Sequence, residues 1–257
     1  MSSVLPAVAI AVATLMLAGW LASQALKDVS IVDPLWGPAF ALTAVVAALV
    51  ADGCSGRRLL LAVLIGIWGL RLGAHLLVRK LGEHEEDRRY QAMRTRHPRN
   101  FTLFSLLAVF GLQGVLVLLV SLPVQVADTR GGSLGLAVLP GVLVWLVGLT
   151  FELVGDEQLR RFRARPESKG RVMDKGLWRY TRHPNYFGDA CVWWGIWLVA
   201  LQAGGTWWTA VGPLAMTWLL VRGSGAALLE RDIRERRPAY AEYIRKTSGF
   251  IPRPPKD

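Results

Sequence analysis

The stretch GLWRYTRHPNYFGDACVWWGIWL, residues 176–198, changes character at Pro184. Arg179, Arg182 and His183 stand before it, whereas Asp189 is the one charged residue after it. Proline is suited to the first turn of a helix, so Pro184 predicts that a helix begins where the chain turns apolar. Free amides at such an N-terminus favour negative charge, and the cations beside it suit a membrane surface. A polar cluster at the mouth of an apolar helix predicts a membrane-crossing segment.

Composition extends this reading to the whole chain. Of its 257 residues, 53% are hydrophobic and only 19% charged, which is too apolar for a water-soluble domain of this length. A hydrocarbon core about 30 Å thick needs roughly 20 mostly apolar residues to be crossed by a helix. Seven runs approach that length: residues 4–26, 34–51, 59–77, 101–126, 134–153, 186–203 and 205–221. The last two are short and share the Gly204-Gly205 break, so a tight helical hairpin or a re-entrant pair fits them. No Lys or Arg precedes the first run, which is therefore expected to be a retained helix rather than a cleaved leader.

Charge placement tests the count. With seven spans, residues 27–33, 78–100, 156–185 and the tail 222–257 fall on one side and hold 26 of the 30 Lys and Arg residues. The other side holds Arg57, Arg58 and Arg130, and Arg71 lies inside the third run. By the positive-inside rule the cationic side is cytoplasmic, giving an all-α, polytopic protein of about seven helices, N-out and C-in. The net charge of +11 is explained by this asymmetry, so nucleic acid is not an expected partner. No long polar stretch separates a second domain. The expectation is one membrane domain over residues 1–257, with partly helical cytoplasmic loops at 78–100 and 156–185 and a partly helical tail at 222–257 that Pro238 interrupts.

Two constellations can carry chemistry. Asp156, Arg160 and Arg163 stand at i, i+4 and i+7, which puts them on one stripe of a helix leaving the membrane. They fit either a basic collar touching lipid phosphates or an anion site for a phosphorylated cofactor, in which guanidiniums grip phosphate with paired donors. Asn185, Asp189 and Trp193, again four apart, place an amide, a carboxylate and an indole on one face of the sixth span. An ionisable group such as Asp189 at that depth is a functional hypothesis, and an interfacial snorkelling Asp is its plain alternative.

These residues carry a resemblance. GLWRYTRHPNYFGD and RRPAYAEYIRKTSGFIPRPP, with SIVDPLWGPAF, EEDRRYQAMR and FGLQG upstream, resemble the steroid 5α-reductase family and its mostly uncharacterised bacterial branch. The resemblance implies NADPH as cofactor, with Asp156, Arg160, Arg163 and Arg171 at cofactor-binding positions and Asn185, Asp189 and Trp193 around the nicotinamide half. It also implies an integral protein of the bacterial inner membrane, with the cofactor site facing the cytoplasm. The Arg-His-Pro-x-Tyr element is shared with S-adenosylmethionine-dependent methyltransferases of isoprenylcysteine or phospholipids. Three arginines suit a dinucleotide better, since S-adenosylmethionine has no phosphate.

At the substrate end the family's Gln-Glu pair is replaced by Val32 and Asp33, and Trp68 falls about where its Tyr is expected. Asp33 is the candidate acid, because a carboxyl entering a membrane can be raised toward neutral pH; capping of the second span ahead of Pro34 is its alternative role. Arg71 should face a carboxylate, a wet cavity or a ligand, and Gln113 either ties helices together or touches cofactor. HEED at 84–87 reads as an exposed loop, and Cys54 and Cys191 have neither metal spacing nor a shared environment for a disulfide. No metal is expected. The expectation is a reductase of a conjugated C=C bond in a lipid-soluble substrate such as a steroid or isoprenoid, a methyltransferase and a non-enzymatic lipid-binding protein being the alternatives.

Overall fold

The computed structural model describes residues 3–83, 85–223, 230 and 240–256, so His84 and Pro238 lie outside the described residues. Two compact units are described in turn: 1–136 with 199–209, and 137–198 with 210–257.

In the first unit α1 (Val4–Leu26) ends at Lys27, which takes a left-handed conformation with φ 55°. The Asp28 carboxylate then accepts from the Ser30 amide at 2.9 Å, folding Val29–Ile31 into a 3-10 turn that feeds α2 (Val32–Val50). A short loop returns the chain as α3 (Ser55–Leu81). The α2–α3 pair packs backbone on backbone. A methyl group at Gly37 would overlap the Gly69 carbonyl, one at Gly69 the Gly37 carbonyl, and one at Gly73 would lie 2.5 Å from Pro38 Cδ. Small residues let membrane helices approach closely where no hydrophobic force draws them together. After α4 (Arg88–Arg96), N-capped by Asp87, comes α5 (Phe101–Val120), which is interrupted by a π turn at Ser105–Gly111. The short α6 (Leu122–Ala127) completes the run.

The two ends of this unit differ in chemistry. At one end the segments 27–33 and 78–100 are laced together: Lys80 Nζ meets Asp28 Oδ2 at 2.6 Å, and Glu86 accepts from the Val29 amide at 2.9 Å and from Arg94 Nη2 at 2.8 Å. At the other end of α2 the Gly53 amide donates to Asp128 O at 3.1 Å and the Cys54 amide to Arg130 O at 3.0 Å. Arg57 is almost wholly buried there, donating to the carbonyls of Ala127, Arg130 and Gly131. The Gly204-Gly205 turn, with φ +70° and +63°, belongs to this unit too, and a methyl group at Gly205 would lie 3.8 Å from Arg130 Nη2.

The second unit is built on α7 (Leu139–Arg163) and α8 (Pro184–Leu201, whose last residues fall in the first unit). It adds α9 (Val211–Trp218), which continues as a π turn at Leu219–Gly223, and α10 (Tyr240–Lys246). Trp194 Nε1 donates to Thr217 Oγ1 at 3.2 Å, joining α8 to α9.

The protein is all-helical; among the described residues the one extended pairing is an isolated bridge between Thr181 and Ser248. Among the described residues five helices are long and apolar enough to cross a membrane: Val4–Leu26, Val29–Val50, Ser55–Leu81, Phe101–Val120 and Leu136–Arg163. The sixth and seventh expected runs form helices, but shorter ones. α8 has 18 residues and opens on Asn185 and Asp189, and α9 has 8 before its π turn. Cys54 and Cys191 are free thiols.

Asp128, just past α6, is fully buried, and neither carboxylate oxygen has a hydrogen-bond partner among the described residues. Burial pushes its pKa up to about 7, against the pull of Arg57 and Arg58. Because the folded state holds this proton more tightly than the unfolded chain, stability should fall as pH rises from about 4 to 7 and level off above. Asp128→Asn should flatten that slope in thermal unfolding of the detergent-solubilised protein, and an unchanged slope would place the titration elsewhere.

Candidate functional site

The polar site of the second unit is positioned by glycine. Along α7 the buried residues Gly141, Trp145, Gly148, Glu152, Gly155 and Asp156 form one stripe, with the glycines seven apart. Gly188 and Gly195 answer them from α8 at the same spacing. A methyl group at Gly148 would stand 2.5 Å from Gly188 O, and one at Gly195 would stand 2.6 Å from Gly141 O. The third glycine, Gly155, receives the Pro184 ring and the Asn185 amide, with a methyl group there 3.1 Å from Pro184 Cγ. The seam thus sets the N-terminus of α8 directly against the turn of α7 that carries Asp156.

One result is a bond between residues 29 apart in sequence: Asn185 Nδ2 donates to Asp156 Oδ1 at 3.1 Å, while Asn185 Oδ1 accepts from the Tyr186 amide. The approach to α8 is fixed by the same turn. Trp178 Nε1 donates to Gly155 O at 3.0 Å, and the Leu177 amide donates to Gln158 Oε1 at 3.0 Å. Gly176 has φ +61° and lies against the Gln158 side chain, so that turn requires glycine. Tyr243 of α10 donates its hydroxyl to Trp178 O.

The expected cofactor residues separate into two groups. Asp156 and Asn185 meet at the seam and Asp189 and Trp193 lie further along α8, with Trp193 wholly buried, Asp156 and Asp189 nearly so, and Asn185 half-buried. Arg160, Arg163 and Arg171 are exposed. Arg160 turns away from Asp156 to its neighbour Glu157, with Nε at 2.6 Å and Nη2 at 2.8 Å, and Arg161 shares that carboxylate. Sharing a helix stripe did not pair the aspartate with the arginine, because Asp156 points into the seam and Arg160 stands 63% exposed at its edge.

Asp33, in the first unit, has both oxygens engaged. Arg89 Nη2 reaches Oδ2 and the Tyr90 hydroxyl donates to Oδ1, both at 2.7 Å. Tyr90 is buried, and burial together with the Asp33 charge raises its phenol above the usual range. Asp33 is thus the acceptor that holds a protonated Tyr90. Glu86 and Asp87 of the HEED stretch bind Arg94 and Arg89. Trp68 is fully buried beside Phe40, Gln113 is half-buried in α5, and Arg71 is half-buried in α3.

Three participants escaped the sequence reading. Glu152, 3% exposed, lies one helical turn before Asp156 and was legible as an acid within an apolar run. Tyr90 was hidden because its partner lies 57 residues away. Glu230 receives Arg182 Nε at 2.7 Å and His183 Nε2 at 2.9 Å. Burial works against its ionisation, yet the bonds from His183 and Arg182 hold its pKa down to about 2.

Crossing-length apolar helices, with buried carboxylates and an amide gathered at one helix mouth, define a helical membrane protein with a polar site at the end of a span. Residues 19–247 match the family described as "Protein of unknown function (DUF1295)", to which the chain belongs. It is also similar to an uncharacterised protein of Schizosaccharomyces pombe, 26% identical over 262 residues that cover 91% of this chain and 75% of the yeast protein. No solved structure matches.

Gly148→Ala should cost roughly 1–3 kcal/mol or more by forcing α7 and α8 apart, whereas Gly66→Ala, with nothing within 4 Å of the added methyl, should be neutral or slightly stabilising. Thermal unfolding of the two variants separates them, and equal effects would remove the seam from its central place.

Proposed function

We propose that the chain is a membrane-embedded, NADPH-dependent reductase of a conjugated C=C bond in a lipid-soluble substrate, related to the steroid 5α-reductases. The observation that carries this reading is the Asp156–Asn185 bond. It joins two positions implied to contact cofactor, beside a rim bearing Arg160, Arg163 and Arg171.

These residues fit a dinucleotide chemically. Arg160, Arg163 and Arg171 form an exposed cationic rim suited to phosphate, and a carboxylate such as that of Asp156 suits a ribose hydroxyl. Asn185, at the N-terminus of α8, is placed to orient an amide. Asp189 and Trp193, both buried further along α8, are implied by the same resemblance to surround the nicotinamide half. NADPH, when bound, supplies the hydride. At the substrate end, Tyr90 would turn its one hydroxyl proton from Asp33 to the substrate carbonyl oxygen as negative charge develops there, while Arg89 holds the Asp33 carboxylate. An apolar cavity of about 220 Å³, lined by Val12, Met16, Leu17, Phe110, Gly114 and Leu118 between α1 and α5, suits a hydrocarbon portion of substrate entering from lipid.

The same reading takes seven crossings, N-out and C-in. The turns at 51–58, 127–131 and 204–205 gather at one end of the first unit and the cationic segments 27–33 and 78–100 at the other, as alternate crossings require. The short α8 and α9 form the last two, and the cationic end faces the cytoplasm of a bacterial inner membrane.

Titration of the purified protein should show saturable NADPH binding and none of S-adenosylmethionine; the reverse outcome would make the chain a methyltransferase, and binding of neither a lipid-binding protein. Asn185→Ala should weaken NADPH roughly tenfold, the loss of one hydrogen bond to a charged neighbourhood. Tyr90→Phe should lower turnover and leave NADPH affinity intact. Topology has its own measurement. Backbone donation from Arg57, with the Arg57 charge, holds the Cys54 thiol below its ordinary pKa, so a membrane-impermeant maleimide should label Cys54 in a Cys191→Ser protein from the periplasmic side. Labelling only in inverted vesicles would reverse the orientation.

A further inference from the structure

A polar cavity of about 250 Å³ lies in the second unit, lined by Arg182 and by residues between 244 and 256, and includes neither Asp156 nor Asn185. Five of its ten lining residues are cations, Arg182, Arg245, Lys246, Arg253 and Lys256, and none is acidic. We infer that this cavity binds a phosphate group, presented either by an anionic lipid headgroup or free in solution.

The site is built rather than a chance gathering of surface charge. Residues 240–256 are bonded to the segment preceding α8: the Arg182 amide donates to Ser248 O at 2.9 Å, Thr181 Oγ1 to Phe250 O at 2.8 Å, and the Arg253 amide to Tyr180 O at 3.0 Å. The Lys256 amide donates to Lys246 O at 2.9 Å, closing the loop between them and bringing cations from its two ends to one cavity. Arg182 forms the floor. Its Nη1 donates to Thr247 O at 2.6 Å, its other nitrogens reach Glu230, and Gly249 lets the guanidinium lie 3.1 Å from where a methyl group would stand.

Glu230 answers Arg182 at 2.7 Å and Glu242 answers Lys246 at 3.0 Å, but crowding Arg245, Arg253 and Lys256 beside them remains unfavourable, by up to about 1 kcal/mol per close pair in water, and a phosphate relieves it while accepting charge-assisted bonds. The volume decides the size of the ligand. It lies below the roughly 300–1,000 Å³ of sites that enclose whole small molecules, so it holds a terminal phosphate and not an entire dinucleotide. Ile251, 55% exposed, and Tyr180, 44% exposed, flank the loop, and an apolar and an aromatic residue beside a basic cavity match a headgroup-level segment.

The test uses the full chain in phosphatidylcholine nanodiscs, with inorganic phosphate added or with phosphatidic acid included in the disc, read by thermal stabilisation and native mass spectrometry. Stabilisation by inorganic phosphate identifies a free-phosphate site; stabilisation by phosphatidic acid alone identifies a headgroup site. Either supports the inference if the double variant R253Q/K256Q, with unchanged helicity, binds about a hundredfold more weakly, tenfold per lost charged contact. Arg245→Gln should give about tenfold by itself. No stabilisation of the unsubstituted chain by either probe, or equal binding by the double variant, would overturn it. NADPH binding at the Asp156–Asn185 site should be unaffected by these substitutions, which keeps the two sites separable.

Discussion

Close contact between the backbones of α7 and α8 is the constraint on which the second unit depends. Glycines at 141 and 148 meet glycines at 195 and 188 with separations that leave no room for a single added carbon, and Gly155 lies tightly against Pro184 and Asn185. In lipid, where apolar side chains gain nothing by leaving their solvent, such proximity draws on dispersion and on the fit of main chains. A seven-residue repeat keeps the seam on one side of both helices over their length. The chemistry inherits this precision. Asp156 and Asn185 meet because Gly155 lets Pro184 and Asn185 come down onto it, and the indole of Trp178 closes the same turn through the Gly155 carbonyl.

The first unit follows the same logic with a different outcome. Gly37, Gly69 and Gly73 bring α2 against α3, and the loops at their ends are then fixed by charge: Lys80 to Asp28, Glu86 to the Val29 amide, Arg89 to Asp33. Partly buried ion pairs of this kind fix geometry more than they add stability. Their service here is to hold Tyr90 on Asp33.

How much of this was readable depended on the kind of signal. Apolar length marked five crossing-length helices, because hydrophobic matching to a bilayer is a local property. The last two runs were harder to judge, since Asn185, Asp189 and the tryptophans of α8 dilute the apolar character that marks a span. Helix spacing correctly put Asp156 and Asn185 on their respective helices. It could not say that Arg160 would prefer Glu157, a choice made by burial and rotamer rather than by stripe. Glycine seams were present in the letters but silent in any hydropathy profile. The Tyr90–Asp33 and Glu230–Arg182 bonds span 57 and 48 residues, distances over which local pattern has nothing to report.

The π turn at Ser105–Gly111 has a consequence for how α5 faces α1. A π turn holds one residue more than an α turn, so it works as a phase shifter, advancing everything after it by about 100° of helical rotation relative to an uninterrupted helix. With that extra residue, Ser105 meets Trp20 at the start of α5 and Gly114 still meets Met16 and Val12 further along. Removing one residue from 105–111 would leave the composition of α5 nearly intact yet turn its second half to a different neighbour, closing the apolar cavity with side chains that now face lipid.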